Sequence, residues 1–294
     1  MKRSDRNYVI ALTTPAIIFF LIFFAYPILL LIFNSFFDVN LLAQGRTFLG
    51  FANYKEILTS KRFLSVFLQT TKYTALTLGA EFFLGFIAAL IFNAIGKKSE
   101  ILRTIFLFPL MVAPIVAGLL WRFMLIDNFG ILNYLLKYFG ILEKTSQIAW
   151  LSNPDIVLYS VALPDIWLTT CFVALVLYTG LQNISVELLE AAKIDGASVI
   201  QSFWRITVPL LRPVIATVLI IRGIDAARTF DAIWIMTGGG PMNKSEVLSL
   251  RIYLTMIRYG RVGESSAMAT IFLIGLLAFG LIAFYTIWKP DLLK

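Results

Sequence analysis

The sequence predicts an all-α integral membrane protein with six transmembrane helices. Of its 294 residues, 59% are hydrophobic and only 14% are charged, whereas a soluble domain is about half apolar and about a quarter charged. Several apolar runs also reach the roughly 20 residues that a helix needs to cross a bilayer. We place the six spans at residues 9–36, 70–95, 102–124, 156–181, 210–236 and 266–288.

The first span follows three positive charges, Lys2, Arg3 and Arg6, which are also typical of a secretory signal peptide. Residues 7–37 contain no charge, so the apolar core is longer than that of a signal peptide, and no clear small-x-small cleavage site follows it. We therefore predict a retained anchor helix. Together with an external segment, this helix forms a first region, residues 1–69.

Two amphipathic stretches lie between spans on the side predicted to be external. "FANYKEILTSKRFLSVFLQT", residues 51–70, has apolar residues at helical spacing. It indicates either a helix at the bilayer interface or a docking surface. "NFGILNYLLKYFGI", residues 128–141, predicts a short interfacial helix between Gly130 and Gly140.

Lysine and arginine residues near the span ends predict the orientation. If six spans alternate, the N-terminus, the loops after spans two and four and the C-terminal tail share one side, and each is basic. The segments after spans one and five are basic as well, so the rule is a weak guide for this chain. The charges beside the first span favour cytoplasmic N- and C-termini, because that span usually dominates.

The composition excludes several functional classes. The chain has one cysteine, Cys171, and no histidine, so it lacks an intrachain disulfide, the commonest metal ligand and the commonest general base. It has no G-x-x-x-x-G-K-[ST] motif for a nucleotide. The net charge of +8 is spread over both membrane faces and does not indicate nucleic acid. We therefore expect no metal, no cofactor and no catalytic residue on this chain.

Span five carries four charges at intervals of three residues: Arg222, Asp225, Arg228 and Asp231. Neighbours three apart on a helix can pair, and each step falls about 60° short of a full turn, so the charges wind around half of the helix. They indicate either a self-neutralising ladder or a polar wall of a translocation path. Two charges of each sign do not favour an anionic substrate.

Ionisable residues within spans are costly and often mark a substrate pathway. Trp167, near the start of span four, can stack on the apolar face of a ligand or can anchor the helix at the membrane interface. The candidate path residues are Glu81, Asp165, Trp167, Asp225, Arg228 and Asp231.

A glycine-rich loop, Gly238, Gly239, Gly240 and Pro241, follows span five and cannot continue its helix. It is either a tight exit from the span or a loop that approaches a ligand closely. Both interpretations remain open from the sequence.

A polar stretch, residues 187–212, separates spans four and five. It predicts a helix that starts after Ser185 and ends or bends at Gly196, then a second short helix with Val199, Phe203 and Ile206 on one face. An apolar face outside the membrane needs a partner. The stretch therefore indicates a docking element for a cytoplasmic protein, or a helix folded back on the bilayer.

The order of residues in this stretch resembles the EAA signature of ABC importer membrane subunits. "LLEAAKIDGAS", "ITVPLLRP" and "FDAIWIMTGGGP" further resemble carbohydrate-uptake permeases of the maltose and glycerol-3-phosphate type, over about residues 70–288. The family has leucine where this chain has Val208. The positions that match the signature or lie within it are Glu190, Ala191, Ala192, Asp195, Gly196, Ala197, Ile206 and Pro209.

The resemblance implies a type I ABC importer permease fold over residues 70–288, with a cytoplasmic coupling helix between spans four and five and a tail at 289–294. It also implies a cell-membrane complex with a second homologous permease, two ATPase subunits that hold ATP and Mg, and an external binding protein that delivers a carbohydrate. An ion-gradient-driven secondary transporter is the alternative, but it has no use for a cytoplasmic docking element and usually shows inverted repeats.

Overall fold

The computed structural model describes residues 3–41, 45–143 and 145–287, and these residues are mostly helical. The predicted tail at residues 289–294 lies outside the described ranges. The first part of the chain contains α1 Arg3–Phe20, α2 Tyr26–Asn34, β1 Phe37–Val39, β2 Arg46–Phe48, α3 Ala52–Thr59 and α4 Lys61–Ile95. The middle contains α5 Glu100–Phe106, α6 Pro114–Met124, α7 Ile131–Tyr138, α8 Val157–Gln182, α9 Val186–Ile194 and α10 Val199–Ser202. The last part contains α11 Val208–Ala227, α12 Asp231–Met236, α13 Leu248–Tyr253 and α14 Val262–Ile287.

Five helical segments of the described chain are long and apolar enough to cross a membrane. They are Leu12–Asn34, Lys61–Ile95, Val157–Gln182, Val199–Met236 and Val262–Thr286. They correspond to five of the six spans that the sequence predicts. The remaining predicted span, the third along the chain at residues 102–124, is not one continuous helix. The count of six spans therefore stays a prediction.

The predicted third span is broken near its middle. A 3-10 turn, Phe108–Met111, and an extended Val112 separate α5 from α6. Pro109 and Pro114 explain the break, because proline has no N–H to donate and its ring clashes with the preceding turn of a helix. Only α6, Pro114–Met124, remains as a shorter apolar helix.

The predicted fifth span is also interrupted. Helix α11 ends at Ala227, and α12 begins only at Asp231. Arg228 has the dihedral angles φ −93° and ψ 6°, and Phe230 has φ −133° and ψ −53°. Asp231 therefore does not continue the helical ladder of Arg222, Asp225 and Arg228, and the prediction of four charges on one helix is wrong.

The external segment differs from its prediction in two places. Residues 61–70 form the first turns of the long helix α4, so the second span starts earlier than residue 70. Strands β1 and β2, which the sequence did not indicate, form an antiparallel hairpin that pairs Phe37 with Phe48 and Val39 with Arg46. Helix α3 confirms the first half of the amphipathic stretch, and α7 confirms the helix between Gly130 and Gly140.

The described chain forms two compact units. One contains the residues up to Leu64 together with Arg251–Ile274, and its core includes Ile57, Ala267 and Met268. The other contains Ser65–Leu250 together with the residues from Gly275 onward. This second unit holds all of the candidate site residues.

Small residues let the helices of the second unit pack closely. A Cβ atom added to Gly85 of α4 would lie 2.8 Å from Val173 Cβ of α8, and one added to Gly118 of α6 would lie 2.9 Å from Ala232 Cα of α12. Glycine at helix contacts is typical of membrane proteins, because packing rather than the hydrophobic effect holds such helices together. These contacts bring α4, α8 and α12 into the arrangement that supports the site.

Candidate functional site

A buried ion pair between α4 and α11 lies at the base of the site. Arg222 donates from Nε to Glu81 Oε2 at 2.9 Å and from Nη2 to Glu81 Oε1 at 3.1 Å. Glu81 is fully buried and Arg222 is 6% exposed. The two parallel bonds form a fork between guanidinium and carboxylate, which is the strongest arrangement for such a pair.

The third helix of the site, α8, meets the same guanidinium group. Arg222 Nη2 lies 3.4 Å from Asp165 Oδ1 and 3.2 Å from Thr169 Oγ1. The other oxygen of Asp165 accepts bonds from the hydroxyl groups of Thr229, at 3.2 Å, and Tyr73, at 3.4 Å. Hydrogen bonds thus connect α4, α8 and α11 through the partly buried carboxylate of Asp165.

Asp225 extends the network toward a cavity. Its carboxylate lies 3.5 Å from Arg222 Nη1 and accepts a bond of 2.6 Å from Arg228 Nη2. Arg228 is 65% exposed along its side chain, in contrast to Arg222. We call Glu81, Asp165, Arg222, Asp225 and Arg228 the charge cluster. It runs from the buried Glu81 to the exposed Arg228.

The charge cluster borders a cavity of about 300 Å³. Four of the predicted path residues, Asp165, Asp225, Arg228 and Asp231, line this cavity, and Glu81 lies behind Arg222. The structure therefore brings five of the six candidates together. The remaining lining residues are Pro114, Leu168, Thr169, Arg222, Thr229, Phe230 and Ala232.

Trp167 lies elsewhere. It lines a separate apolar cavity of about 500 Å³, together with Trp121 and Cys171. Two residues along an α-helix turn the side chain by about 200°, so Asp165 and Trp167 of α8 face opposite sides. The structure does not place Trp167 with the charged residues.

Sequence reasoning missed several functional side chains. Arg222 was noted but was not chosen as a path residue, although it is the centre of the cluster. Thr169 and Thr229 lie four residues after Asp165 and Asp225, so helical spacing could have identified them. Tyr73 lies eight residues before Glu81, on the same buried face of α4, but no local signal connects it with Asp165.

The stretch between α8 and α11 is mostly exposed. Gly196 ends α9 with φ +81°, a conformation that favours glycine. Its N–H bonds to Lys193 O at 3.2 Å and that of Ala197 bonds to Ala192 O at 2.9 Å, which together close the helix end. Ser185 takes the N-cap position of α9 as predicted, although its side chain makes no capping bond.

The sequence predicts a separate second short helix, but in the structure this helix continues into α11. A capping box of Ser198 and Gln201 starts α10, and a π-helical turn, Phe203–Thr207, joins it directly to α11. Of the predicted apolar face, Val199 is 86% exposed, whereas Phe203 and Ile206 are half-buried. The helix that begins at Val199 therefore continues into the membrane span.

Residues 185–209, which we call the exposed segment, contain the signature positions. Four of them, Glu190, Ala191, Asp195 and Gly196, are exposed. Ala192 is buried, and Ala197, Ile206 and Pro209 are half-buried. Large apolar side chains are exposed beside them, in particular those of Val186, Ile194, Val199, Ile200 and Trp204.

The glycine-rich loop folds on itself. Gly238 and Gly239 have φ angles of +59° and +92°, which only glycine adopts readily. The Ser245 hydroxyl donates to Gly240 O at 2.6 Å and lies 2.8 Å from the Thr237 hydroxyl. No residue of Gly238–Pro241 is among the described residues that line the charged cavity.

The chain is similar to known transport proteins. The family described as "binding-protein-dependent transport system inner membrane component" matches residues 81–294. The trehalose/maltose transport system permease protein MalF of Thermococcus litoralis is 35% identical over 245 residues, 83% of this chain and 81% of that protein. The sulfoquinovosyl glycerol transport system permease protein SmoG of Agrobacterium fabrum is 32% identical over 269 residues, 91% of this chain and 86% of that protein.

A crystal structure has the same fold. It is that of a bacterial ABC transporter involved in the import of the acidic polysaccharide alginate, with a TM-score of 0.81, 24% identity and coverage of 96% of this chain and 95% of that chain. The likeness confirms the predicted type I ABC importer permease fold. The family match over most of the chain and the 35% identity to a permease show that this chain belongs to the binding-protein-dependent transport system inner membrane components, the permease subunits of ABC transporters.

Proposed function

We propose that this chain is one of two permease subunits of an ATP-driven importer that moves a carbohydrate through the inner membrane. The observation that carries the proposal is that the same two helices support both regions of the site. Helix α8 holds Asp165 and leads into the exposed segment, and α11 continues from the exposed segment to Arg222 and Asp225. A force on the exposed segment would therefore reach the cavity directly.

The exposed segment would dock on a cytoplasmic ATPase. Ile194 and Val199 are 85% and 86% exposed, and a contiguous apolar surface of this kind marks an interaction site. ATP and Mg would bind to the ATPase subunits and not to this chain. This assignment places the exposed segment and both chain termini on the cytoplasmic side, and the Gly238–Pro241 loop on the external side.

The continuity of α10 and α11 suggests how work is transmitted. Val199 and Arg222 are separated by 23 helical residues, which corresponds to about 35 Å at 1.5 Å per residue. ATP-driven closure of the ATPases would move this helix as a rigid lever. The cavity would then open alternately toward the two sides of the membrane.

A second permease subunit would cover surfaces that this chain leaves open. The irregular backbone at Phe108–Val112 lies within a predicted span, and lipid does not tolerate exposed irregular backbone in the hydrocarbon core. None of the apolar window of Leu12–Asn34 is buried within the described chain. We propose that the homologous subunit covers both surfaces, one in the domain at residues 70–288 and one in the anchor region at residues 1–69.

A carbohydrate fits the chemistry of the cavity. Its wall offers hydroxyl groups from Thr169 and Thr229 beside carboxylates and guanidinium groups, which can donate to and accept from a ligand rich in hydroxyl groups. The names of the two relatives refer to trehalose, maltose and a sulfoquinovosyl glycerol. An external binding protein would deliver the sugar.

Reconstitution tests the proposal. The chain is co-expressed with the second permease and the ATPases of its own operon, and the purified complex is placed in proteoliposomes with the binding protein. We expect the binding protein to stimulate ATP hydrolysis and the vesicles to accumulate sugar. Asp225→Asn and Arg228→Gln should each reduce uptake while the complex still assembles. Uptake at the wild-type rate in both variants contradicts the assignment of the path.

A further inference from the structure

We propose that Glu81 sets the charge selectivity of the cavity, so that this subunit passes neutral carbohydrates and rejects anionic ones. The inference rests on the function proposed above and specifies its substrate class. Glu81 is fully buried and is not among the residues that line the cavity. It is therefore a positioning residue, which acts on the substrate only through Arg222.

The charges around the cavity do not balance. The described lining contains three carboxylates, from Asp165, Asp225 and Asp231, and two guanidinium groups, from Arg222 and Arg228. Glu81 adds a fourth carboxylate directly behind Arg222. Charges interact more strongly in a protein cavity than in bulk water, so this excess of negative charge repels an anion and leaves a neutral sugar unaffected.

The guanidinium group of Arg222 is also fully engaged, and that of Arg228 is paired through one nitrogen. Arg222 uses Nε and Nη2 for the fork with Glu81, and its Nη1 faces Asp225 at 3.5 Å. Arg228 donates from Nη2 to Asp225 at 2.6 Å. Arginine recognises a carboxylate or phosphate best with two free N–H groups on one edge. Arg222 has no such edge available, because Glu81 occupies it.

Substitution of Glu81 changes the charge around the cavity without changing any residue that lines it. Loss of its charge would remove the main counter-charge of Arg222 and one carboxylate from the excess, so the cavity would become less negative. Asp165, Asp225 and Asp231 line the cavity, so their substitution would also change direct contacts with the sugar. Charge selectivity therefore separates the role of Glu81 from a purely structural one.

The test uses the complete transporter in nanodiscs, without the binding protein. Two probes of equal length, neutral maltotriose and the tricarboxylate trigalacturonate, are compared by saturation-transfer NMR. We expect the wild type to prefer maltotriose, and Glu81→Gln to shift the ratio of affinities toward trigalacturonate by roughly tenfold. Glu81→Asp keeps the charge and should keep the wild-type ratio, even where binding of both probes becomes weaker.

Two results would overturn the inference: a wild type that binds trigalacturonate as well as maltotriose, and a Glu81→Gln complex with the wild-type ratio. If Glu81→Gln does not assemble, Asp231→Asn tests the charge excess on which the inference rests, because it removes one negative charge at an exposed position and should shift the ratio in the same direction. The change in direct contact affects both probes, so the ratio of affinities still reports the charge. An unchanged ratio there also contradicts the inference. A wild-type complex that accumulates no sugar in the transport assay contradicts the proposed function instead, so the two failures are distinguishable.

Discussion

The charge cluster and the exposed segment both place polar residues within an apolar sequence. In the charge cluster the polar groups find their partners inside the chain, whereas in the exposed segment they lie on its surface. In the charge cluster, Arg222 is bonded to Glu81 and Asp165, and Arg222 and Glu81 are buried within the chain. In the exposed segment, charged residues face outward beside apolar side chains such as Val199, which is 86% exposed. The first region is complete within one chain, whereas the second is complete only with a partner.

This difference determines how each region should respond to substitution. Changes to the buried pair of the charge cluster, Glu81 and Arg222, should destabilise the chain itself, because they leave a buried charge without its partner. Changes in the exposed segment should leave the chain folded and should affect assembly or coupling. Substitutions at Arg222, Val199 and Gly196 test this distinction.

Arg222→Met should be severely destabilising. It leaves Glu81 and Asp165 buried without their guanidinium partner, at an expected cost of about 3–5 kcal/mol. Arg228→Met is the matched control, because Arg228 is 65% exposed and an exposed pair contributes about 1 kcal/mol or less. Thermal unfolding of the two purified variants provides the measurement. Equal losses of stability would contradict the view that burial distinguishes the two arginines.

Val199→Asp should separate assembly from folding. A charge in the middle of an apolar docking surface should weaken ATPase binding by about 2 kcal/mol or more, while the unfolding temperature of the permease stays near that of the wild type, since surface changes usually alter stability by about 0.5 kcal/mol or less. Co-purification of the ATPase measures the effect. Met242→Asp is the control, because Met242 is 78% exposed and follows the other end of span five. Loss of the ATPase in both variants would show a general defect.

Gly196→Leu should uncouple ATP hydrolysis from transport. A Cβ at this position meets no atom within 4 Å, so the effect comes from the backbone, where φ +81° costs a residue with a side chain about 1–2 kcal/mol. The ratio of sugar accumulated to ATP hydrolysed should fall by roughly tenfold. In Gly196→Asn this ratio should fall less, because asparagine tolerates a positive φ angle. Normal transport by the leucine variant would refute the lever mechanism.

The features predicted correctly from the sequence are those that local pattern determines. Long apolar runs predicted the five segments that are long and apolar enough to cross a membrane. The glycine at position 196 predicted the end of α9. The break in the third span was not predicted, although Pro109 and Pro114 provide a local signal for it. These effects depend on neighbours within a few residues, so one sequence contains them.

The features that were missed depend on distant residues. No proline or glycine marks the break at residues 228–230. There, the Thr229 hydroxyl donates to Asp165, 64 residues away. The backbone carbonyl of Thr229 accepts a bond of 2.5 Å from Ser249 Oγ. Glu81 and Arg222 are 141 residues apart. A pairing of this kind cannot be inferred from helical spacing, because it depends on which spans become neighbours.

The central claim is that the exposed segment lies on the cytoplasmic side and is covered there by an ATPase. A single-cysteine variant tests it directly: the buried Cys171 is replaced by serine and Val199 by cysteine, and a membrane-impermeant maleimide is added from either side of the membrane. The account predicts labelling only from the cytoplasmic side, and protection once the ATPase subunits are bound. Labelling from the external side would contradict it.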